Sequence, residues 1–241
     1  MKVIGAGLPR TATSTQLIAF EQLGFAPCYH MRDLLADLDG QLALWERVVE
    51  GDPDWEAIFQ DAESTCDFPA SRYYRELLEV YPDAKVLLSV RSAEGWVRSM
   101  RETIWPMFFG DSVMHHVNEA RRVVDGNWDR FLTLMRHMWA QTSIVTGDHE
   151  SDADLAAAME HWNAQVKASV PADRLLVWEP AHGWGPLCDF LDVTVPDGPM
   201  PNVNDTAAFK EGILGGGFAV LNAWWDTRER PAGGLHGAPA Q

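Results

Sequence analysis

Arg10 stands between an apolar run and a string of hydroxyl residues, in Val3-Ile4-Gly5-Ala6-Gly7-Leu8-Pro9-Arg10-Thr11-Ala12-Thr13-Ser14-Thr15. A guanidinium keeps its charge at physiological pH, and its planar fork grips two oxygens of one anion. The hydroxyls of Thr11, Thr13, Ser14 and Thr15 add donors, and small residues beside them let an anion reach the main chain. This order of residue types suits a phosphate or a sulfate ester. Arg91 and Ser99, eight positions apart, offer a second cation and hydroxyl. Asp67 and His30 can accept a proton from a hydroxyl, the imidazole having an ordinary pKa of about 6.5. Both also have plain structural readings. Asp67 could cap the helix that Pro69 opens, and His30 could be a partly buried imidazole bonded to the backbone.

These side chains need elements that bring them to one edge. Val3-Ile4-Gly5 reads as a short strand, and Gln16 to Leu23 as a helix. Arg10 to Thr15 then lies at a helix start, where unpaired N–H groups and the helix dipole favour an anion. Three further β-type runs are Ser64 to Asp67, Ala84 to Arg91 and Leu175 to Glu179. The apolar interior of the second suits a strand buried on both faces. Asp67 and Arg91 fall at the C-terminal ends of strands, the edge where open α/β sheets bind ligands. Helical patterns cover Pro69 to Val80, Glu94 to Thr103 and Ala153 to Val170. Strands alternating with helices predict an α/β domain with a mainly parallel sheet.

Residues 105–149 are rich in Trp, Phe, Met and His and read as a helical insertion over the active edge. Trp105, Met107, Phe108, Phe109, Trp128, Met135 and Trp139 are the candidates for an acceptor pocket, and such aromatics favour an apolar or aromatic alcohol or phenol. His115 and His116 either touch that acceptor or form an exposed pair. Residues 1–227 read as one domain and 228–241 as a disordered tail.

Thirty-five acidic against 19 basic residues give a formal charge of −16, which argues against nucleic acid as a partner. Arg91, Arg98 and Arg101 still form a local cationic spot, as a small anionic ligand in one cleft would need. Cys28, Cys66 and Cys188 are isolated, which fits small buried thiols in a reducing, cytoplasmic setting. No Cys/His spacing supports zinc. No apolar stretch reaches the length of a membrane span, Ile213 to Trp225 being interrupted by Gly215-Gly216-Gly217.

A Rossmann fingerprint wants a third glycine where Arg10 sits, and a Walker A loop ends in Gly-Lys-Ser/Thr. Pro9-Arg10-Thr11-Ala12-Thr13-Ser14 instead resembles the phosphosulfate loop of P-loop sulfotransferases, Pro-Lys/Arg-Ser/Thr-Gly-Thr-Thr/Ser. Val90-Arg91-Ser92-Ala93-Glu94-Gly95-Trp96-Val97-Arg98-Ser99 resembles that family's Val-Arg-Asp-Pro-x₅-Ser form. Leu23 to Met31, Asp67 to Ala70, Tyr81 to Val86, Gly183 to Leu191 and Pro201 to Thr206 follow in the family's order, closest to its bacterial, fungal and flatworm branch. Members of that branch are sometimes labelled nucleotide-sugar epimerases because of a Gly5-Ala6-Gly7-like start.

The resemblance implies a three-layer P-loop fold and 3′-phosphoadenosine 5′-phosphosulfate as sulfuryl donor, with 3′-phosphoadenosine 5′-phosphate as product and no metal. It implies Arg10, Thr11, Ala12, Thr13, Ser14 and Thr15 at the 5′-phosphosulfate, and Arg91 with Ser99 at the 3′-phosphate. Asp67 would be the base with His30 as partner or alternative, and Arg10 would stabilise the departing phosphate. The partner would be a small-molecule hydroxyl acceptor, without nucleic acid or membrane; a homodimer is an open assembly state. Ala12 departs from the family's Gly and Ser92-Ala93 from its Asp-Pro. Thr15 replaces the Trp that stacks on adenine in animal members, leaving Trp178 or Trp96 for that role. An ATP-using P-loop phosphotransferase and a catalytically idle nucleotide-binding protein are the competing readings.

Overall fold

The computed structural model describes residues 1–142, 144, 151–203 and 206–228. Residues 229–241 of the expected tail, residues 143 and 145–149 of the helical region, and Asn204 and Asp205 lie outside the described residues. Five strands, β1 (Val3–Gly5), β2 (Cys28–Tyr29), β3 (Ser64–Thr65), β4 (Lys85–Ser89) and β5 (Leu175–Trp178), form one sheet in the order β2-β3-β1-β4-β5. Every pairing is parallel, with Val3 opposite both Ser64 and Lys85, and Val86 opposite Leu175. This is the expected parallel α/β sheet, and it puts the ends of β1, β3 and β4 side by side. β2 is an addition to the sequence reading. Its two residues form no apolar run, and only the ladder to Ser64 and Thr65 makes them a strand.

Strand side chains alternate between two cores, as a pleated sheet covered on both faces requires. Val3, Leu87 and Trp178 pack with Leu17 and Phe20 of α1 (Thr13–Gln22) on one face. Ile4, Val86 and Leu88 belong to the larger core on the other. There lie α2 (Met31–Ala36), α3 (Leu38–Val49), α4 (Trp55–Phe59), α5 (Tyr74–Val80) and α6 (Ala93–Glu102). The region from Trp105 onward supplies α7 (Trp105–Phe108), α8 (Val113–Val124) and α9 (Gly126–Thr142), followed by α10 (Asp152–Ser169). α11 (Trp184–Leu191) joins α1 on the first face, and α12 (Thr206–Asp226) closes the described chain.

α12 runs unbroken through Gly215-Gly216-Gly217, the glycines that interrupt the apolar stretch Ile213 to Trp225. The glycines serve packing on α8: a Cβ at Gly217 would lie 2.5 Å from Val117 Cγ1. Among the described residues no helix is long and apolar enough to cross a membrane. Gly5 and Gly7 also serve close approach. A Cβ at Gly5 would meet Cys66 Cβ and Thr65 O at 2.8 Å, and one at Gly7 would overlap the Ser89 hydroxyl and sit 2.8 Å from Ser89 O. Gly7→Ala is therefore expected to destabilise the fold by about 1–3 kcal/mol through overpacking, read as a lower urea midpoint. A neutral result would show that β4 yields at this point.

Candidate active site

The loop from β1 to α1 is held from below by its neighbours. Thr11 Oγ1 donates to Leu8 O at 2.6 Å and shares a hydrogen bond with Ser89 Oγ at 2.7 Å. Trp96 Nε1 donates to Pro9 O at 2.8 Å, and Arg91 Nη1 donates to Arg10 O at 2.9 Å. Arg10 and Ala12 both adopt left-handed backbone, with φ of 69° and 67°. That conformation costs an L-residue roughly 1–2 kcal/mol, so Ala12 keeps the turn of a glycine at the expense of strain. Ala12 takes the N-cap position of α1 and offers no side-chain oxygen to the first-turn amides.

Beside this loop lies a cavity of about 640 Å³, lined by Arg10, Ala12, Thr13 and Ser14 and by Arg91, Arg98 and Ser99. Ser99 Oγ accepts from Arg10 Nε at 3.0 Å, so the two sequence-predicted anchors share one wall. Burial, and then the charges of Arg10 and Arg98, hold the Arg91 guanidinium below its ordinary pKa. Such crowding is relieved by an anion. Ser92 caps α6, its Oγ accepting from Gly95 N at 3.2 Å.

Thr11 and Thr15 are each 1% exposed, their hydroxyls taken up inside the protein; Thr15 Oγ1 accepts from Val203 N at 3.2 Å. Trp96 and Trp178 are 0% exposed, so neither presents a face to a base. Their indoles brace the loop and the end of β5 instead, Trp178 donating to Gly183 O at 3.4 Å.

A second cavity, about 620 Å³, shares Arg10, Thr13, Ser14 and Val203 with the first. Met107, Phe108, Trp128, Met135 and Trp139 line it as expected, whereas Trp105 and Phe109 do not. Those two share the other face of α7 and pack on each other at 4.7 Å, as i,i+4 neighbours do. His115 and His116 lie off the cavity, His116 pairing with Asp111 at 2.6 Å.

Asp67 and His30 stand on the wall of the second cavity only, with His30 Nε2 3.3 Å from Asp67 Oδ2. Both are nearly buried, and Asp67 is left-handed at φ 69°. The helical turn Ala70–Tyr73 begins at Pro69 without a side-chain cap, so Asp67 is not its N-cap. His30 caps α2 instead: its Nδ1 accepts from Arg32 N at 3.2 Å, and its own N–H donates to Asp33 Oδ2 at 2.8 Å. With Nδ1 an acceptor, the neutral ring carries its proton on Nε2, facing the Asp67 carboxylate.

The segment entering α12 is a part of the site that residue types alone did not reveal. Thr206 Oγ1 accepts from Arg10 Nη2 at 2.9 Å, and Phe209 lies 5.7 Å from the Arg10 guanidinium. The ordered motif Pro201 to Thr206 was its only signal in the sequence.

A glycine-marked β1–α1 loop on a parallel sheet, with two cavities sharing Arg10, Thr13, Ser14 and Val203, defines a P-loop α/β protein of the group-transferase class. The family model described as "Sulfotransferase domain" matches residues 2–209. "Ava biosynthesis cluster protein M" of Aspergillus versicolor is 33% identical over 218 residues, covering 84% of this chain and 80% of that protein. The solved sulfotransferase of Alicyclobacillus acidocaldarius aligns over 95% of this chain and 96% of its own, at 16% identity and a TM-score of 0.41. The chain belongs to the sulfotransferase family.

Proposed function

We propose that the protein moves a sulfuryl group from 3′-phosphoadenosine 5′-phosphosulfate to a hydroxyl of a small apolar or aromatic acceptor. The observation that carries this reading is the meeting of two cavities at Arg10, Thr13 and Ser14, with the His30–Asp67 pair on the wall of the second only. The cavity of about 640 Å³ is of a size that suits a nucleotide. Arg10 and the main chain from Ala12 to Thr15 would hold the 5′-phosphosulfate, and Arg91, Ser99 and Arg98 the 3′-phosphate. When bound, the donor supplies a sulfuryl group on an activated phosphate. The relative's name refers to a biosynthesis cluster, which fits an acceptor of low mass. Three buried free thiols fit a reducing cytoplasm.

Asp67 is the base in this reading and His30 its positioning residue. The imidazole would have to move its proton to Nδ1, against the Arg32 N–H, before Nε2 could accept another. Asp67, with His30 Nε2 3.3 Å from its Oδ2, takes the hydroxyl proton as the acceptor oxygen bonds to sulfur. Arg10 and the α1 amides hold the charge left on phosphate as the sulfur–oxygen bond to it breaks.

Calorimetric titration tests the donor. 3′-Phosphoadenosine 5′-phosphate is expected to bind without metal and more tightly than ATP with magnesium. Arg91→Ala is expected to weaken it ten- to hundredfold, the worth of a charged hydrogen bond at about 1.5–3 kcal/mol. A preference for ATP would overturn the reading.

A further inference from the structure

We infer that the acceptor is an elongated molecule, with its hydroxyl at Asp67 and a carbonyl or carboxylate oxygen about 10–16 Å away, held by Arg121. This rests on the acceptor reading above and adds the length and far-end chemistry of the substrate.

Two helices give the cavity its axis. On α9 the wall residues Trp128, Phe131, Met135 and Trp139 recur at helical spacing. Trp139 stacks on Phe68, next to Asp67, at 4.2 Å and 5°. Trp128 lies eleven residues earlier, about 16 Å away at 1.5 Å per residue. The Arg121 guanidinium lies 3.8 Å from the Trp128 ring. α12 runs the same way: Phe209 adjoins Arg10, while seven residues on, or about 10 Å, the Cβ position of Gly216 is 3.8 Å from Arg121 Nη1.

Arg10, His30, Arg32 and Asp67 cluster at the transfer end, so Arg121 is the charged wall residue at the far end. Its Nε and Nη2 are held by Asp125 at 2.9 Å. Among the described residues Nη1 makes no hydrogen bond, and it faces the room left by the α12 glycines. The side chain is 14% exposed. A donor in such a place, at the end of an apolar wall, selects a planar oxygen acceptor.

The test uses 4-phenylphenol, 4′-hydroxybiphenyl-4-carboxamide and 4′-hydroxybiphenyl-4-carboxylate, whose para substituents are about as far apart as the cavity ends. Binding is followed by tryptophan fluorescence with and without 3′-phosphoadenosine 5′-phosphate. Both oxygen-bearing compounds are expected to bind about ten- to hundredfold more tightly than 4-phenylphenol. Arg121→Leu should bring that ratio to within about twofold. A Cβ at Gly212, which also lines the cavity, meets nothing within 4 Å. Gly212→Leu should therefore raise the dissociation constants of all three biphenyls relative to phenol by at least about tenfold. Equal binding of the three, a ratio that persists in Arg121→Leu, an unchanged biphenyl-to-phenol ratio in Gly212→Leu, or no biphenyl binding each overturns the inference. Failure of the nucleotide to bind is read separately and speaks to the donor assignment instead.

Discussion

Asp67→Asn should keep its nucleotide and lose turnover by about 10²–10⁴-fold, the usual contribution of a positioned general base. The change is nearly isosteric, so the side chain should keep its place beside His30 Nε2, which lies 3.3 Å from Asp67 Oδ2. What disappears is the ability to take a proton. Asp67 lines the acceptor cavity and not the other, so titration with 3′-phosphoadenosine 5′-phosphate should be unaltered. His30→Gln should cost less, because Asp67 keeps its basic oxygens and loses only the group that orients them. Single-turnover sulfuryl transfer measured beside nucleotide titration separates the two. Wild-type turnover in Asp67→Asn would remove the carboxylate from the chemistry, and a larger loss in His30→Gln would make the imidazole the base.

Arg10→Ala is expected to reduce kcat/KM by about 10²–10³-fold, as removing one preorganised donor at a site of developing charge commonly does. Arg10 touches both cavities and organises their shared wall, through Ser99 at 3.0 Å, Thr206 at 2.9 Å and Phe209 at 5.7 Å. Its left-handed backbone, φ 69°, is maintained partly by the bond from Arg91 to its carbonyl. Arg10→Lys should recover little, since a single ammonium cannot span Ser99, Thr206 and a ligand oxygen with one planar fork. The loss should fall mainly on kcat, with nucleotide affinity retained largely through Arg91 and Arg98. A drop of less than tenfold, or one confined to nucleotide affinity, would assign Arg10 to binding alone.

Much of the site is legible from residue types at short range. An apolar run makes β1, the helix after it follows from periodicity, and Arg10 to Ser14 lie between them whatever the rest of the chain does. Arg91 and Ser99 are similarly placed by one strand and the helix it enters. Five of the proposed pocket residues line the cavity because helical spacing puts them on inward faces, while Trp105 and Phe109 fall on the outward face of a single turn. Trp96 and Trp178 are fully buried, and since an indole braces a loop as readily as it stacks on a base, only burial separates the two uses.

Local propensity was enough to read a parallel α/β scaffold and to place Arg10, Arg91 and Ser99 near one sheet edge. Tertiary structure decided what depends on distant partners. β2 exists through its ladder to β3, and α12 needs a glycine at position 217 because Val117 of α8 fills the space a Cβ would take. The imidazole tautomer of His30 is set by one backbone N–H, that of Arg32. Only folding brings that contact beside Asp67, 37 positions further along the chain.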